Sequence, residues 1–209
     1  MTLIMDIAKI DGGTALDRLS GIVHTYPSMW KGTVIDVGCR TRELETALKG
    51  RQVSYVGVDV DPTAEVVADL GDRLPFEDRS AEVVTAFDVL EHTDDIYRGF
   101  SELCRVARED ILITLPNCYE VRTRVRHLRG KPISGKYGLP TAPPGDRHRW
   151  FFSLDEARKF VRNSAREHGW RVTDERALIG PKFQRIGWAV CRWPNLLCAN
   201  YLARLQPGR

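Results

Sequence analysis

The chain has 209 residues, 43% of them hydrophobic, which suffices for one sizeable core, so a single α/β-sized domain over residues 1–209 is expected. Its net charge of +3 hides a division. Residues 1–121 carry 12 Lys/Arg against 22 Asp/Glu, a net −10, and residues 122–209 carry 19 against 6, a net +13. That split suits either an anionic partner for the C-terminal half or attraction between the halves. No apolar run approaches the roughly 20 residues of a membrane span. "MTLIMDIAKIDGG" holds no apolar stretch of signal-peptide length, so a cytoplasmic chain is expected. Cys39, Cys104, Cys118, Cys191 and Cys198 show neither a Cys-x-x-Cys pair nor Cys/His zinc spacing. Buried free thiols are expected, and no metal site.

Leu16, Leu19, Ile22 and Val23 recur at helical spacing across Thr14–Tyr26. "TVIDVG" is a short apolar run bounded by glycines and reads as a buried strand, followed by the helix "ELETALKG" closed at Gly50. "VSYVGVDV", the very short "EVVAD", and "AEVVTAF" read as three more strands. Only "DPTA" separates the first two of these, so any helix between them is very short. "DDIYRGFSELCRVA" puts Ile96, Phe100, Leu103 and Val106 on one helical face, and "DILITLP" is a strand stopped by Pro116. Continuous apolar strands alternating with helices predict a Rossmann-like, doubly wound and mostly parallel sheet.

The pattern breaks at about 120–150, where glycines, prolines and basic residues predict a loop-rich insertion. "SLDEARKFVRNSAREHG" then reads as a helix with Ser153 and Glu156 as a capping box. "WRVTDERALIG" and "RIGWAVCRW" read as two strands, and Asn195–Leu205 as a short amphipathic helix.

In such a sheet, ligands bind beyond the carboxyl ends of the strands. Asp36 and Asp59 stand at two of those ends, Asp59 lying 21 residues after Gly38. That is the spacing at which dinucleotide folds place a ribose-binding acid. Asp61-Pro62 is also turn chemistry in its own right. "GCRTRE" fails the Gly-x-Gly-x-x-Gly of a nicotinamide dehydrogenase, and no Gly-Lys-Ser/Thr of a P-loop is present.

"VIDVGC", "VGVDVD", "ADLGDRLPFEDRSAEVVTAFDVLEH" and "ITLPN" occur in this order from Thr33 to Asn117. Together they resemble the class I S-adenosylmethionine-dependent methyltransferases, in the branch (type 11 methyltransferase domain) with the "LPF…VLEH" signature. "HRWFFSLDEARKFV" resembles that family's later segment. The resemblance implies a seven-stranded sheet with an antiparallel strand at its C-terminal end. It also implies S-adenosylmethionine as cofactor, with S-adenosylhomocysteine as product. Asp36 and Gly38 match the first motif, near the methionine part. Asp59, with Val60 after it, matches the ribose-binding acid. Asp69 and Leu70 match the pair flanking the adenine, and Phe87 ends the fourth strand beside the methionine portion. Glu91-His92 matches the "EH" near the transferred methyl.

Arg40 and Arg42 depart from that family's pattern, which usually has glycine at both positions. At Arg40 three readings stand open: a guanidinium that binds the cofactor's carboxylate, an obstruction, or a scaffold that has lost catalysis and serves as a binding or partner protein. A base is needed only for a hydroxyl acceptor, and His92 and His148 are the candidates. The eight Lys/Arg from Arg122 to Arg149 face one acid, Asp146. They suit an anionic acceptor, either a small molecule or a glycan-type compound. Nucleic acid is less favoured, because stacking aromatics are sparse. The oligomeric state is not readable.

Overall fold

The computed structural model describes residues 6–9, 14–131, 136–137, 139, 141–142, 146–179 and 193–208. Among these, eight strands form one sheet: β1 (Asp6–Lys9), β2 (Gly32–Val37), β3 (Val53–Asp59), β4 (Val66–Val67), β5 (Ala81–Phe87), β6 (Ala107–Pro116), β7 (Trp170–Ile179) and β8 (Cys198–Pro207). The helices are α1 (Ala15–Thr25), α2 (Glu43–Ala47), α3 (Ile96–Val106), α4 (Val121–Leu128), α5 (Leu154–Glu167) and the single turn α6 (Pro194–Leu197). The strand order is β1-β7-β8-β6-β5-β2-β3-β4. β8 runs antiparallel to both its neighbours, and every other pair is parallel. Seven of these strands form the expected mostly parallel sheet with its antiparallel C-terminal strand.

The near-continuous apolar strands have a simple cause: both faces of the sheet are buried, and successive residues point to opposite faces. Val34, Val83, Leu112, Leu178 and Leu202 pack with Leu19, Ile22 and Val23 of α1 and Leu44 of α2. Their chain neighbours Ile35, Val84, Ile111, Ile113, Ala177, Tyr201 and Ala203 pack on the other face with Phe100 and Leu103 of α3 and Val161 and Ala165 of α5. Phe100 is fully buried and meets Phe160 edge-on.

The helices start where their side chains can cap them. Thr14 and Asp17 form a capping box at α1, and Ser153 and Glu156 form the expected one at α5. Asp95 caps α3 by accepting from the Tyr97 and Arg98 amides. The acidic and basic halves of the chain meet in the fold. Arg204 donates to Asp110 across β8 and β6 at 2.7 Å, and Arg149 pairs with Asp94 at 2.8 Å.

Three expectations are corrected. Asn195–Leu205 is not an amphipathic helix: after one helical turn the chain runs as β8 between β6 and β7. Its apolar residues matched helical spacing because a strand buried on both faces shows no alternation. The segment at about 120–150 is not loop-rich from its start, since α4 occupies Val121–Leu128. The sheet also gains β1, whose four residues "DIAK" hold no apolar run that would mark a buried strand. The strand expected at "RIGWAVCRW" lies outside the described residues, apart from Trp193.

Burial ranks two substitutions. Phe100→Ala removes a fully buried ring and should cost about 3–5 kcal/mol of stability. Ser153→Ala removes a cap and should cost about 1 kcal/mol. Urea unfolding measures both, and a Phe100→Ala loss no larger than that of Ser153→Ala would contradict this placement of the core.

Candidate active site

β2 lies between β3 and β5, so the sheet order reverses at the carboxyl ends of β2 and β5, where open α/β sheets bind ligands. Parallel pairing brings Asp36, Asp59, Phe87 and the turns after them to that one edge.

Asp36 is buried and aligned in register with Thr85 of β5. It accepts from the Thr85 hydroxyl at 2.6 Å and the Tyr55 hydroxyl at 2.8 Å, and burial pushes its carboxyl up to about 6. Asp36 therefore ties three strands together beneath the turn. Gly38 has φ +75°, and a Cβ there would come within 2.2 Å of Val89 Cγ2, so both conformation and space require glycine. The Gly38 amide donates to the Val58 carbonyl at 2.7 Å, which bends the turn over the end of β3.

Arg40 and Arg42 also take left-handed backbone, with φ 44° and 59°. That geometry costs a side-chain-bearing residue roughly 1–2 kcal/mol. Both side chains are engaged at the surface. The Arg42 guanidinium donates to Glu65 at 3.1 Å and sits 5.4 Å from the Tyr55 ring centroid. The Arg40 guanidinium donates to Asp146 Oδ2 at 2.7 Å, and its backbone amide donates to Asp59 Oδ2 at 2.9 Å. Asp59 Oδ1 accepts from the Asp61 amide at 3.1 Å. Val60 beside it is exposed.

Asp69 accepts from the Gly71 amide at 2.7 Å. The Leu70 side chain is buried in the core beside Gly99. Phe87 is half-buried at the end of β5. Next to it, Asp88 is held at φ 55° by donors from three elements, Arg18, Thr114 and Asn200. Burial pushes the Asp88 carboxyl up, but Arg18 and the hydrogen bonds outweigh it and hold the group below the usual range.

His92 and His148, 56 residues apart in sequence, come together with ring centroids 4.5 Å apart. His92 Nδ1 lies 2.7 Å from Asp146 Oδ1, and His148 Nδ1 lies 2.6 Å from the Tyr137 hydroxyl. Burial lowers both imidazoles, His148 to about 4. Both are therefore uncharged at neutral pH. Between them lies Glu91, fully buried, with no side chain among the described residues hydrogen-bonded to either carboxylate oxygen. Its Oε1 is 3.8 Å from His92 Nε2 and 3.9 Å from His148 Nε2. Burial and then the nearby Asp88 charge push its carboxyl well up. Glu91 as a chemical group, Tyr137 and the bridging role of Asp146 were not singled out from sequence. A lone acid inside a basic segment was the one available signal for Asp146.

Residues 15–173 match the Methyltransferase domain family. A protein of Mycobacterium sp. (strain KMS) described as an uncharacterized methyltransferase is 36% identical over 126 residues, covering 53% of this chain and 50% of its own. The chain thus spans about half the length of the curated relatives it matches. In fold it is similar to a SAM-dependent methyltransferase from Methanosarcina mazei, with TM-score 0.60 and 12% identity over 90% of this chain and 97% of that one. It is also similar to magnesium protoporphyrin IX methyltransferase of Synechocystis PCC 6803 with bound SAH, with TM-score 0.59 and 13% identity over 92% and 82% of the two chains. Identities this low show the fold alone. The family match, which covers most of the chain, shows that it belongs to the class I S-adenosylmethionine-dependent methyltransferases.

Proposed function

We propose that this chain transfers a methyl group from S-adenosylmethionine to an anionic acceptor, a small molecule or glycan-type compound. The observation that carries the cofactor part is Asp59. Each of its oxygens accepts one backbone N–H, and a carboxylate offers about four acceptor positions. Room for both hydroxyls of a ribose remains at the end of β3. Exposed Val60 supplies apolar surface for the adenine, with Asp69 and the Leu70 backbone at its polar edge. Asp36 and Gly38 shape the turn toward the methionine end, and Phe87 borders it. The bound cofactor supplies an activated sulfonium methyl, so the protein's task is alignment and exclusion of water. The cluster of Glu91, His92 and His148 forms the acceptor side, with uncharged imidazoles in position to take a proton from a hydroxyl acceptor.

The acceptor's charge is inferred from α4. None of its eight residues is buried, so the core gains little from it, and it carries Arg122, Arg124 and Arg126. A competing reading, a partner protein that has lost cofactor binding, is favoured by one observation: the Arg40–Asp146 pair bridges the turn from the first strand of the site to the loop opposite.

Three measurements test these readings. Calorimetry should detect S-adenosylmethionine binding that Asp59→Ala weakens several-fold to a hundredfold, matching about 1.5–3 kcal/mol for a charge-assisted ribose contact. No heat at millimolar cofactor would favour the partner-protein reading. Arg40→Gly should weaken binding about tenfold if the guanidinium also engages the cofactor's carboxylate, whereas tighter binding would mark Arg40 as an obstruction. With an acceptor in hand, changing Arg122, Arg124 and Arg126 together to Gln should raise its KM and flatten the salt dependence. An unchanged KM or an uncharged acceptor would refute the anionic reading.

A further inference from the structure

From the geometry of Glu91, His92 and His148 we infer a binding site for one divalent first-row transition metal ion, held by one Glu91 oxygen and the Nε2 atoms of both histidines. The three ligand atoms lie within 4.8 Å of one another. The two spacings to Glu91, 3.8 and 3.9 Å, already fall below the roughly 4.2 Å that separates opposite ligands bound at about 2.1 Å. Two imidazoles and one carboxylate form a set that binds such ions while leaving coordination positions open.

The outer contacts are arranged as metal sites require. A ligating histidine normally donates its other ring N–H to a fixed acceptor, which bares the ligating nitrogen. His92 Nδ1 has Asp146 Oδ1 at 2.7 Å and the Arg147 carbonyl at 3.2 Å. A carbonyl only accepts, and Asp146 is ion-paired with Arg40 and Lys136, so the His92 proton sits on Nδ1. His148 Nδ1 has the Tyr137 hydroxyl at 2.6 Å, and that hydroxyl can place its own proton on Cys118 Sγ at 2.7 Å or on the Trp150 carbonyl at 3.5 Å, which leaves its oxygen to accept from Nδ1. Both Nε2 atoms then present lone pairs toward Glu91.

Glu91 is fully buried, no side chain among the described residues hydrogen-bonds either of its oxygens, and the histidine nitrogens stand beyond hydrogen-bond reach, so its own backbone N–H is the one nearby donor. The charges that face Glu91 are Asp88, Lys136 and Arg18, and each is already paired, Lys136 with Asp146 and Arg18 with Asp88. Metal binding stands apart from methyl transfer. Only the ion's task, holding an acceptor oxygen and easing loss of its proton, rests on the function proposed above. The histidines then act as ligands, and the acceptor's proton passes to solvent rather than to either imidazole.

Chelator-treated protein should be titrated with manganese(II), which prefers nitrogen and oxygen donors to thiolate, and separately with cobalt(II). Calorimetry and electron paramagnetic resonance should report one manganese ion per chain, and cobalt should develop a visible d–d absorption. His148→Ala should weaken binding at least a hundredfold, and Tyr137→Phe about tenfold through loss of the outer hydrogen bond. Glu91→Gln should abolish tight binding while the metal-free protein melts no lower than wild type. If Glu91→Gln fails to fold, the other two variants decide. No binding of either ion at millimolar concentration, meaning a cluster satisfied by water, overturns the site. So does equal binding by wild type and His148→Ala. S-adenosylmethionine binding is measured on the same samples. Cofactor binding without metal binding refutes this site alone, and metal binding without cofactor binding refutes the methyl-transfer reading alone.

Discussion

Asp146 joins the two sides of the candidate site. It is the single acid between Arg122 and Arg149, and it takes Arg40 and Lys136 on one oxygen and His92 on the other. Arg40 in turn donates its backbone amide to Asp59, so a continuous chain of contacts runs from the end of β3 to the imidazole cluster. An exposed pair such as Arg40–Asp146 contributes at most about 1 kcal/mol to stability. Its importance is positional: it fixes the loop opposite the turn and, through His92, sets which ring nitrogen points inward.

The same pair helps explain how the first turn accommodates arginine in left-handed backbone. The left-handed backbone at Arg40 and Arg42 keeps the shape that glycine gives, at roughly 1–2 kcal/mol each. Contacts on both sides hold that shape in place: Gly38 donates to Val58, Arg40 to Asp59, and Arg42 to Glu65 over the Tyr55 ring. The arginines point away from the core, so they alter the mouth of the site more than its floor. Gly38 is different. A Cβ there would strike Val89, and no surface contact could relieve it.

Much of this was legible in the sequence, for a physical reason. β2, β3, β5 and β6 are short apolar runs stopped by glycine, aspartate or proline, and burial on both faces requires such runs. Local caps marked α5 in the same way. β8 was misread because its spacing of Leu196, Leu197, Tyr201 and Leu205 fits a helix as well as a doubly buried strand; only its pairing with β6 and β7 decides. Asp36 and Asp59 were legible as acids at strand ends, whereas Asp69 was singled out only through the family resemblance. The meeting of Glu91, His92, Tyr137 and His148 was not legible. It depends on long-range packing that sets residues 137 and 146–148 against residues 91–92, and nothing local in "VLEH" or "GDRHRW" encodes that packing.

Glu91 turns that packing into a constraint on chemistry. A buried carboxylate with no hydrogen bond costs several kcal/mol if ionised, and in its protonated form it would still lack an acceptor. A fold maintained only for packing would lose nothing by placing an apolar residue at that position. The surrounding groups do the opposite and concentrate polarity: two imidazoles oriented through their far nitrogens, a phenol, and Asp88 held ionised by Arg18, Thr114 and Asn200. Such an arrangement is stable in function only when something positive or proton-bearing enters it. Under the proposed metal site, the two imidazoles and Glu91 are an incomplete coordination sphere, and without an ion the imidazoles remain the proton acceptors.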